Sequence, residues 1–133
     1  MEIDRVWNHK MIQIVADTNA FLLPFKFNIN IDSELDSLVG NHEIIIPEPI
    51  VGELKRLAKQ KQHAKAALKL AQSKQSFSTE AIGDDSVLEL AERVGGIVFS
   101  NDKELIEKAR KKNLRIIRLR EGSRLDFDNY RLD

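Results

Sequence analysis

Along this chain the hydrophobic positions change period several times, and each change marks an element. Ile12, Ile14 and Val15 form an apolar run of strand type that stops at Asp17, Thr18 and Asn19. The stretch NINIDSELDSLVG predicts a helix from about Ser33 to Val39, with Asp32 as its cap and Gly40 as its stop. EIII, residues 43 to 46, is a short buried strand ended by Pro47. From Pro49 a long helical pattern extends, carried by Ile50, Leu54, Leu57 and Ala58, then by Ala64, Ala67, Leu68 and Ala71; it breaks or bends near Gln60 to Gln62. SKQSFSTEAIG is polar and turn-like. DDSVLELAERVGG predicts a helix with an acidic first turn and a stop at Gly95. GIVFS is the next strand, DKELIEKARKKN the next helix and LRIIRL a last strand, while EGSRLDFDNYRLD has no assignable period.

Strands alternating with helices indicate a parallel sheet covered on both faces. The expected architecture is a three-layer α/β/α sandwich with a central parallel sheet of four or five strands, the first strand central because it is the most apolar. With 133 residues, no repeat and no low-complexity linker, the chain reads as one domain over residues 1–133, long enough for a sizeable core.

Composition narrows the class. Hydrophobic residues at 42% and charged residues at 32% fit a soluble globular protein, and no apolar run approaches the roughly 20 residues needed to span a bilayer. The N-terminus lacks a signal-peptide core, so a cytoplasmic location without membrane contact is expected. The absence of cysteine excludes disulfides and thiolate metal sites. Lys and Arg balance Asp and Glu at 21 each, yet the distribution is uneven. Residues 51 to 76 carry seven basic residues against Glu53 alone, and residues 103 to 124 carry nine against three. Acids concentrate in 32 to 53 and 80 to 92. Solvated helix faces explain such runs as readily as a nucleic-acid surface does.

The chemistry lies just past the ends of the strands. Asp17 ends the first; PEPIVGEL sets Glu53 in the early turns of a helix after the second; SND brings Asp102 to a helix start after GIVF; and GDDSVL opens a helix with Asp84 and Asp85. Each acid alone reads as a helix cap. In a parallel sheet, however, the segments after the strands share one edge, where ligands bind. Carboxylates gathered there repel one another, and a divalent cation resolves the conflict. An all-oxygen site suits Mg²⁺ or Mn²⁺, either of which activates water for phosphodiester hydrolysis.

VADTNAFLL, PEPIVGEL, GDDSVLELA and VFSNDKEL, in that order, resemble the four acidic motifs of PIN-domain ribonucleases. The likeness covers about residues 12–119, leaving a tail from about 120, and is nearest to the short stand-alone prokaryotic proteins. These include toxins of VapC type and PIN nucleases that process ribosomal RNA. The resemblance implies that Asp17, Glu53, Asp84 and Asp102 bind Mg²⁺ or Mn²⁺ and support endonucleolytic cleavage of single-stranded RNA. Asp84, eighteen residues before Asp102, fits the family's offset better than Asp85, which stays a second choice as a cap or water-mediated ligand. Thr18 and Asn19 match the first motif, where such groups hold the site's carboxylates or water. Ser100 and Asn101 take the same role or simply cap the next helix. An antitoxin or a ribosomal assembly partner, and a homodimer, are further implications, and a catalytically inactive PIN-fold RNA-binding or assembly module is the alternative.

Lys55, Arg56 and Lys59, the basic residues nearest Glu53, are the expected phosphate contacts. Other candidates are weaker. Glu48 reads as a loop acid, and Asp32, Glu34 and Asp36 as the wet start of a helix. His9, His42 and His63 are scattered without a triad-like context. Trp7, Phe25 and Phe27 serve base stacking, burial or a dimer contact. A haloacid-dehalogenase-type phosphatase would need a second Asp where Asn19 stands. A response-regulator receiver needs an acid pair before the first helix and a phospho-accepting Asp after a middle strand, and neither is present.

Overall fold

The structure, a computed structural model, describes residues 11–121 and 124–128. β1 (Ile12–Ala16) leads directly into α1 (Thr18–Phe27), and then come α2 (Ile31–Val39) and β2 (His42–Pro47). Next are α3 (Glu48–Ala58), α4 (Gln62–Gln72) and β3 (Gln75–Phe77). The remainder is α5 (Gly83–Val94), β4 (Ile97–Phe99), α6 (Lys103–Lys111), β5 (Ile116–Arg120) and β6 (Arg124–Phe127). The six strands form one sheet in the order β3-β2-β1-β4-β5-β6. Every pairing is parallel except β5 with β6.

β1 is central, as expected, and its register sets Val15 beside Ile45 on one side and Val98 on the other. Ile14, Val15 and Ala16 are all buried, which is why the strand reads as a continuous apolar run rather than an alternation: helices cover both faces. Right-handed crossovers that step from β1 through β2 to β3 place α1 to α4 on one face. The return from β3 to β4, and the step to β5, place α5 and α6 on the other. Contacts agree: α3 packs on α4 and α4 on α1, whereas ion pairs Lys108–Asp85 and Lys112–Glu92 stitch α6 to α5. The result is a three-layer α/β/α sandwich with Phe21, Leu35, Leu54, Leu90, Phe99 and Leu105 among its fully buried side chains.

Differences from the sequence-based expectation have local causes. The sheet has six strands among the described residues, beyond the four or five expected, because both additions are edge strands. β3 lies within the polar SKQSFSTEAIG stretch, with Gln75 and Ser76 exposed. β6 lies in the tail and runs antiparallel, setting Leu125 against Leu119 on the buried side. α2 begins at Ile31 rather than Ser33, since Asn30 is the cap: its side chain accepts from the Ser33 N–H at 3.0 Å. Asp32 instead bonds Lys74 at 2.8 Å and His42 at 3.3 Å. Burial pushes the Asp32 carboxyl up, but these two partners prevail and hold it below the usual range. The long helical pattern from Pro49 divides into α3 and α4, broken over residues 59–61 as expected.

Two backbone approaches fix the centre of the sheet. Gly95 ends α5 with φ of 66°, a left-handed conformation that glycine adopts without strain. At Gly96 a Cβ would stand 2.8 Å from the Gln13 carbonyl oxygen, so only glycine lets β4 enter the sheet beside β1. At the far edge, Asp128 is buried and accepts from Arg110 Nε and Nη2, both at 3.0 Å, and from Arg118 Nη1 at 3.3 Å. These hydrogen bonds hold its carboxyl below the usual range and clasp β6 to α6. No helix among the described residues is long and apolar enough to cross a membrane.

Candidate active site

In a parallel sheet the helices that come after the strands all start at one edge. Here that edge receives the N-terminal ends of α1, α3, α5 and α6, and with them Asp17, Asp84 and Asp102 at the first turns and Glu53 in the second turn of α3. Asp17 serves as cap and as site residue at once. Its Oδ1 accepts from the Ala20 N–H at 2.8 Å, capping α1, and its Oδ2 accepts from Ser100 Oγ at 2.6 Å. It is 5% exposed. Burial drives its carboxyl up to about 7; the Ser100 and Ala20 hydrogen bonds pull back, while Asp102 and Asp84 push further.

The remaining groups are tied to this centre. Ser100 Oγ accepts from the Asp102 N–H at 2.9 Å, and Asp102 Oδ1 in turn caps α6 through the Glu104 N–H at 2.8 Å. Thr18 Oγ1 donates to Glu53 Oε1, joining α1 to α3. Asn19 Oδ1 accepts from the Asn101 N–H at 3.0 Å, and Asn101 Oδ1 accepts from the Leu119 N–H at 2.7 Å. The side chains at 18, 19, 100 and 101 therefore bridge four separate segments rather than merely capping their own helices.

Asp84 and Asp85 part company. Asp84 is half-buried, and its carboxyl is raised by burial first and then by Asp102, Glu104 and Glu53, with Lys108 opposing them. Asp85 is exposed and its Oδ1 stands 3.6 Å from Lys108 Nζ. Asp84 thus belongs electrostatically with the other acids, and Asp85 with α6. Glu104 is an acid that the motifs do not single out. Its one signal in the sequence is position, two residues beyond Asp102 in the same first turn.

The basic candidates on α3 are arranged unevenly. At 100° per residue, Arg56 lies about 60° round the helix from Glu53, whereas Lys55 and Lys59 lie about 160° and 120° away. A Cβ built on Gly52 would stand 3.8 Å from Arg56 Nη1, so this guanidinium folds back toward the start of α3. Glu48 is exposed on the first turn of α3. Phe25 and Phe27 are exposed near the far end of α1, about 12–15 Å along the axis from Asp17 at 1.5 Å per residue. His42 is held by Asp32 and the Gly40 carbonyl, and His63 lines a cleft with Leu22, Lys26 and Leu57. His9 and Trp7 lie outside the described residues.

Among the described residues no group of three or more His, Asp and Glu side chains is placed to hold a metal ion between them. The donor set nevertheless has the chemistry of a hard-cation site. Asp17 and Asp84 carry raised carboxyls that neighbouring acids push further. Mg²⁺ demands little direct protein ligation, since it keeps several waters and takes one or two carboxylates.

Comparison with known proteins gives a consistent result. The description "PIN like domain" matches residues 14–122. Ribonuclease VapC9 of Archaeoglobus fulgidus is 33% identical over 130 residues, covering 94% of this chain and 96% of the relative. Ribonuclease VapC4 of Methanocaldococcus jannaschii is 37% identical over 121 residues, covering 84% and 92%. Among solved structures, the PIN domain endonuclease Utp24 superposes with a TM-score of 0.74 at 18% identity, over 87% of this chain and 90% of that one. A domain of a functionally unknown protein from Methanocaldococcus jannaschii gives 0.62 at 16% identity, over 83% and 92%.

Proposed function

The chain belongs to the PIN-domain family, of VapC type, and from that premise we propose that it is a Mg²⁺- or Mn²⁺-dependent endoribonuclease that cuts single-stranded RNA. The observation that carries this reading is Asp17: a carboxylate buried at the end of the central strand, raised to about 7, with Asp84 and Asp102 close enough to push it up. In its charged form such a group costs the fold more than its helix cap returns, so its placement points to a ligand that compensates the charge.

Asp17, Glu53, Asp84 and Asp102 would hold the ion, one or two directly and the others through water, which suits a set not closed on a single point. When bound, Mg²⁺ or Mn²⁺ polarises a phosphoryl oxygen and lowers the pKa of water. The chain's own groups set the geometry. Ser100 and the Ala20 N–H orient both oxygens of Asp17, and Thr18 fixes Glu53. The Asn19–Asn101–Leu119 chain holds the loop after β4 against α1 and β5. Arg56 offers a guanidinium to backbone phosphates. A flexible single strand lays its phosphodiesters along an open sheet edge more readily than a rigid duplex does.

The sequence relationship runs to the VapC ribonucleases at 33% and 37% identity, while the likeness to Utp24 at 18% speaks for the fold alone. That difference favours a toxin held by an antitoxin over a ribosomal-RNA-processing factor. The decisive assay is cleavage of a labelled unstructured RNA with Mn²⁺, with and without EDTA, by wild type and Asp102→Asn. Cleavage by wild type alone, abolished by EDTA, is the expected result. Metal-independent cutting, or full activity in the variant, overturns the reading; no cutting by folded, metal-loaded wild type favours an RNA-binding module.

A further inference from the structure

Four of the nine basic residues in the second basic stretch, residues 103–124, are engaged in internal contacts. Arg110 and Arg118 serve Asp128, Lys112 pairs with Glu92, and Arg120 Nη2 donates to the Phe127 carbonyl. Lys108 differs in position. It rises from α6, the helix that Asp102 caps, and reaches across to the first turn of α5, where its Nζ stands 3.6 Å from Asp85 Oδ1. Its charge also acts on the adjacent Asp84, opposing Asp102, Glu104 and Glu53. Both members of the ion pair remain open to water, with Lys108 at 48% and Asp85 at 67% side-chain exposure. At 3.6 Å the pair is loose, and an exposed pair of this kind contributes little to stability. Lys108 is thus a cation at the rim of an acidic site, held by a partner that releases it easily.

We propose that Lys108 is a phosphate-contacting residue of the RNA-binding surface, parked on Asp85 until a nucleic-acid backbone takes its place. This deepens the reading above and rests on it for the class of ligand. An edge crowded with carboxylates repels polyanions, so a strand approaching from the α5–α6 side needs a cation there. Lys108 supplies it opposite Arg56, which approaches from α3 on the other face of the sheet. Asp85 then has its own role. It is the resident anion that the RNA phosphate displaces, a positioning residue that acts through Lys108.

The test is RNA binding without metal, which separates it from the cleavage reading. Fluorescence anisotropy of a labelled 12-nucleotide unstructured RNA in EDTA is monitored against salt for wild type, Lys108→Gln, Lys108→Arg and Asp85→Asn, each checked for unaltered thermal unfolding. Loss of one phosphate contact to a single strand reduces the salt slope by about 0.7, which near 0.1 M salt is about fivefold in affinity. Lys108→Gln shows that loss, and Lys108→Arg restores the slope. Asp85→Asn frees the ammonium and tightens binding about threefold, within the value of an exposed ion pair. An unchanged slope in Lys108→Gln, or equal or weaker binding in Asp85→Asn, overturns the proposal. These results stand whatever the cleavage assay gives, so the two readings fail separately.

Discussion

Ser100 Oγ donates to Asp17 Oδ2 at 2.6 Å although the residues lie 83 positions apart, and the same hydroxyl oxygen accepts from the Asp102 N–H. One buried side chain thereby sets the orientation of one acid and the backbone of another. Ser100→Ala removes a donor that stabilises the Asp17 carboxylate and strands the Asp102 N–H. The expected outcome is Mn²⁺ affinity lower by about tenfold, as for lost outer-shell partners of metal sites, and an acid limb of the pH–rate profile moved to higher pH. Calorimetric Mn²⁺ titration and initial rates between about pH 5 and 9 measure both; a profile that does not move removes Ser100 from the site's electrostatics.

Asp17 also makes stability depend on pH. Its carboxyl rises from 3.8 in the unfolded chain to about 7 when folded, so the folded state holds the proton more tightly. The resulting stabilisation is complete below about pH 3.8, declines as pH rises, and is gone above about 7. Metal-free Asp17→Asn escapes this decline. At about pH 8 the relief has an upper bound of about 4 kcal/mol, reduced because Ser100 and Ala20 donate to different oxygens of Asp17 and an amide offers only one. A net gain of about 1–3 kcal/mol is expected, read as a higher Tm at about pH 8 that vanishes toward about pH 4. A lower Tm in the alkaline measurement would contradict it.

Thr18 and Glu53 form another long-range tie. Thr18→Val keeps the shape and deletes the hydroxyl, leaving Glu53 without its partner, whereas Thr18→Ser keeps the donor. Cleavage by the Val variant should fall by about 10–100-fold in kcat with KM within about threefold, and the Ser variant should stay near wild type. Equal activities for Val and Ser would show that Glu53 is positioned without this bond.

The Asp128 clasp bears on stability and not on chemistry. Asp128→Ala leaves Arg110 and Arg118 without their shared carboxylate and frees β6 from α6. A fall in Tm of about 5–10 °C is expected, with Mn²⁺ affinity per folded molecule unchanged. A loss of metal binding at temperatures where the variant is folded would tie the clasp to the site.

How legible each element is in the sequence depends on where its residues sit. β1, β2 and β4 are covered on both faces, so their apolar runs are visible, and the acids after them stand at fixed strand-to-helix junctions. β3 and β6 are edge strands of three and four residues whose side chains owe their types to solvent and to one neighbour, so neither carries a period. α1 is hidden for another reason: Pro24 lies inside it, and its last turns expose Phe25 and Phe27. Within the site, the residues are legible but their partners are not. Asp84 and Asp85 are adjacent in sequence; the offset to Asp102 favours Asp84, and the fold adds its half-burial beside the other acids while Asp85 faces Lys108. Likewise the charge of Lys55, Arg56 and Lys59 is plain, while the turn of α3 that favours Arg56 needs the helix in place.

The sheet order carries a consequence for synthesis. β1 is the first strand made, yet one of its neighbours is β4, and Asp17 meets Ser100 and Asp102 only when that pairing closes. Non-local parallel pairing is among the slow steps of folding, because the loop entropy is spent before any contact rewards it. A chain emerging from the ribosome therefore carries Asp17 and Glu53 well before it carries a complete acidic centre. The acids carried by β1 and α3 meet those that follow β4 only when most of the sequence has been translated.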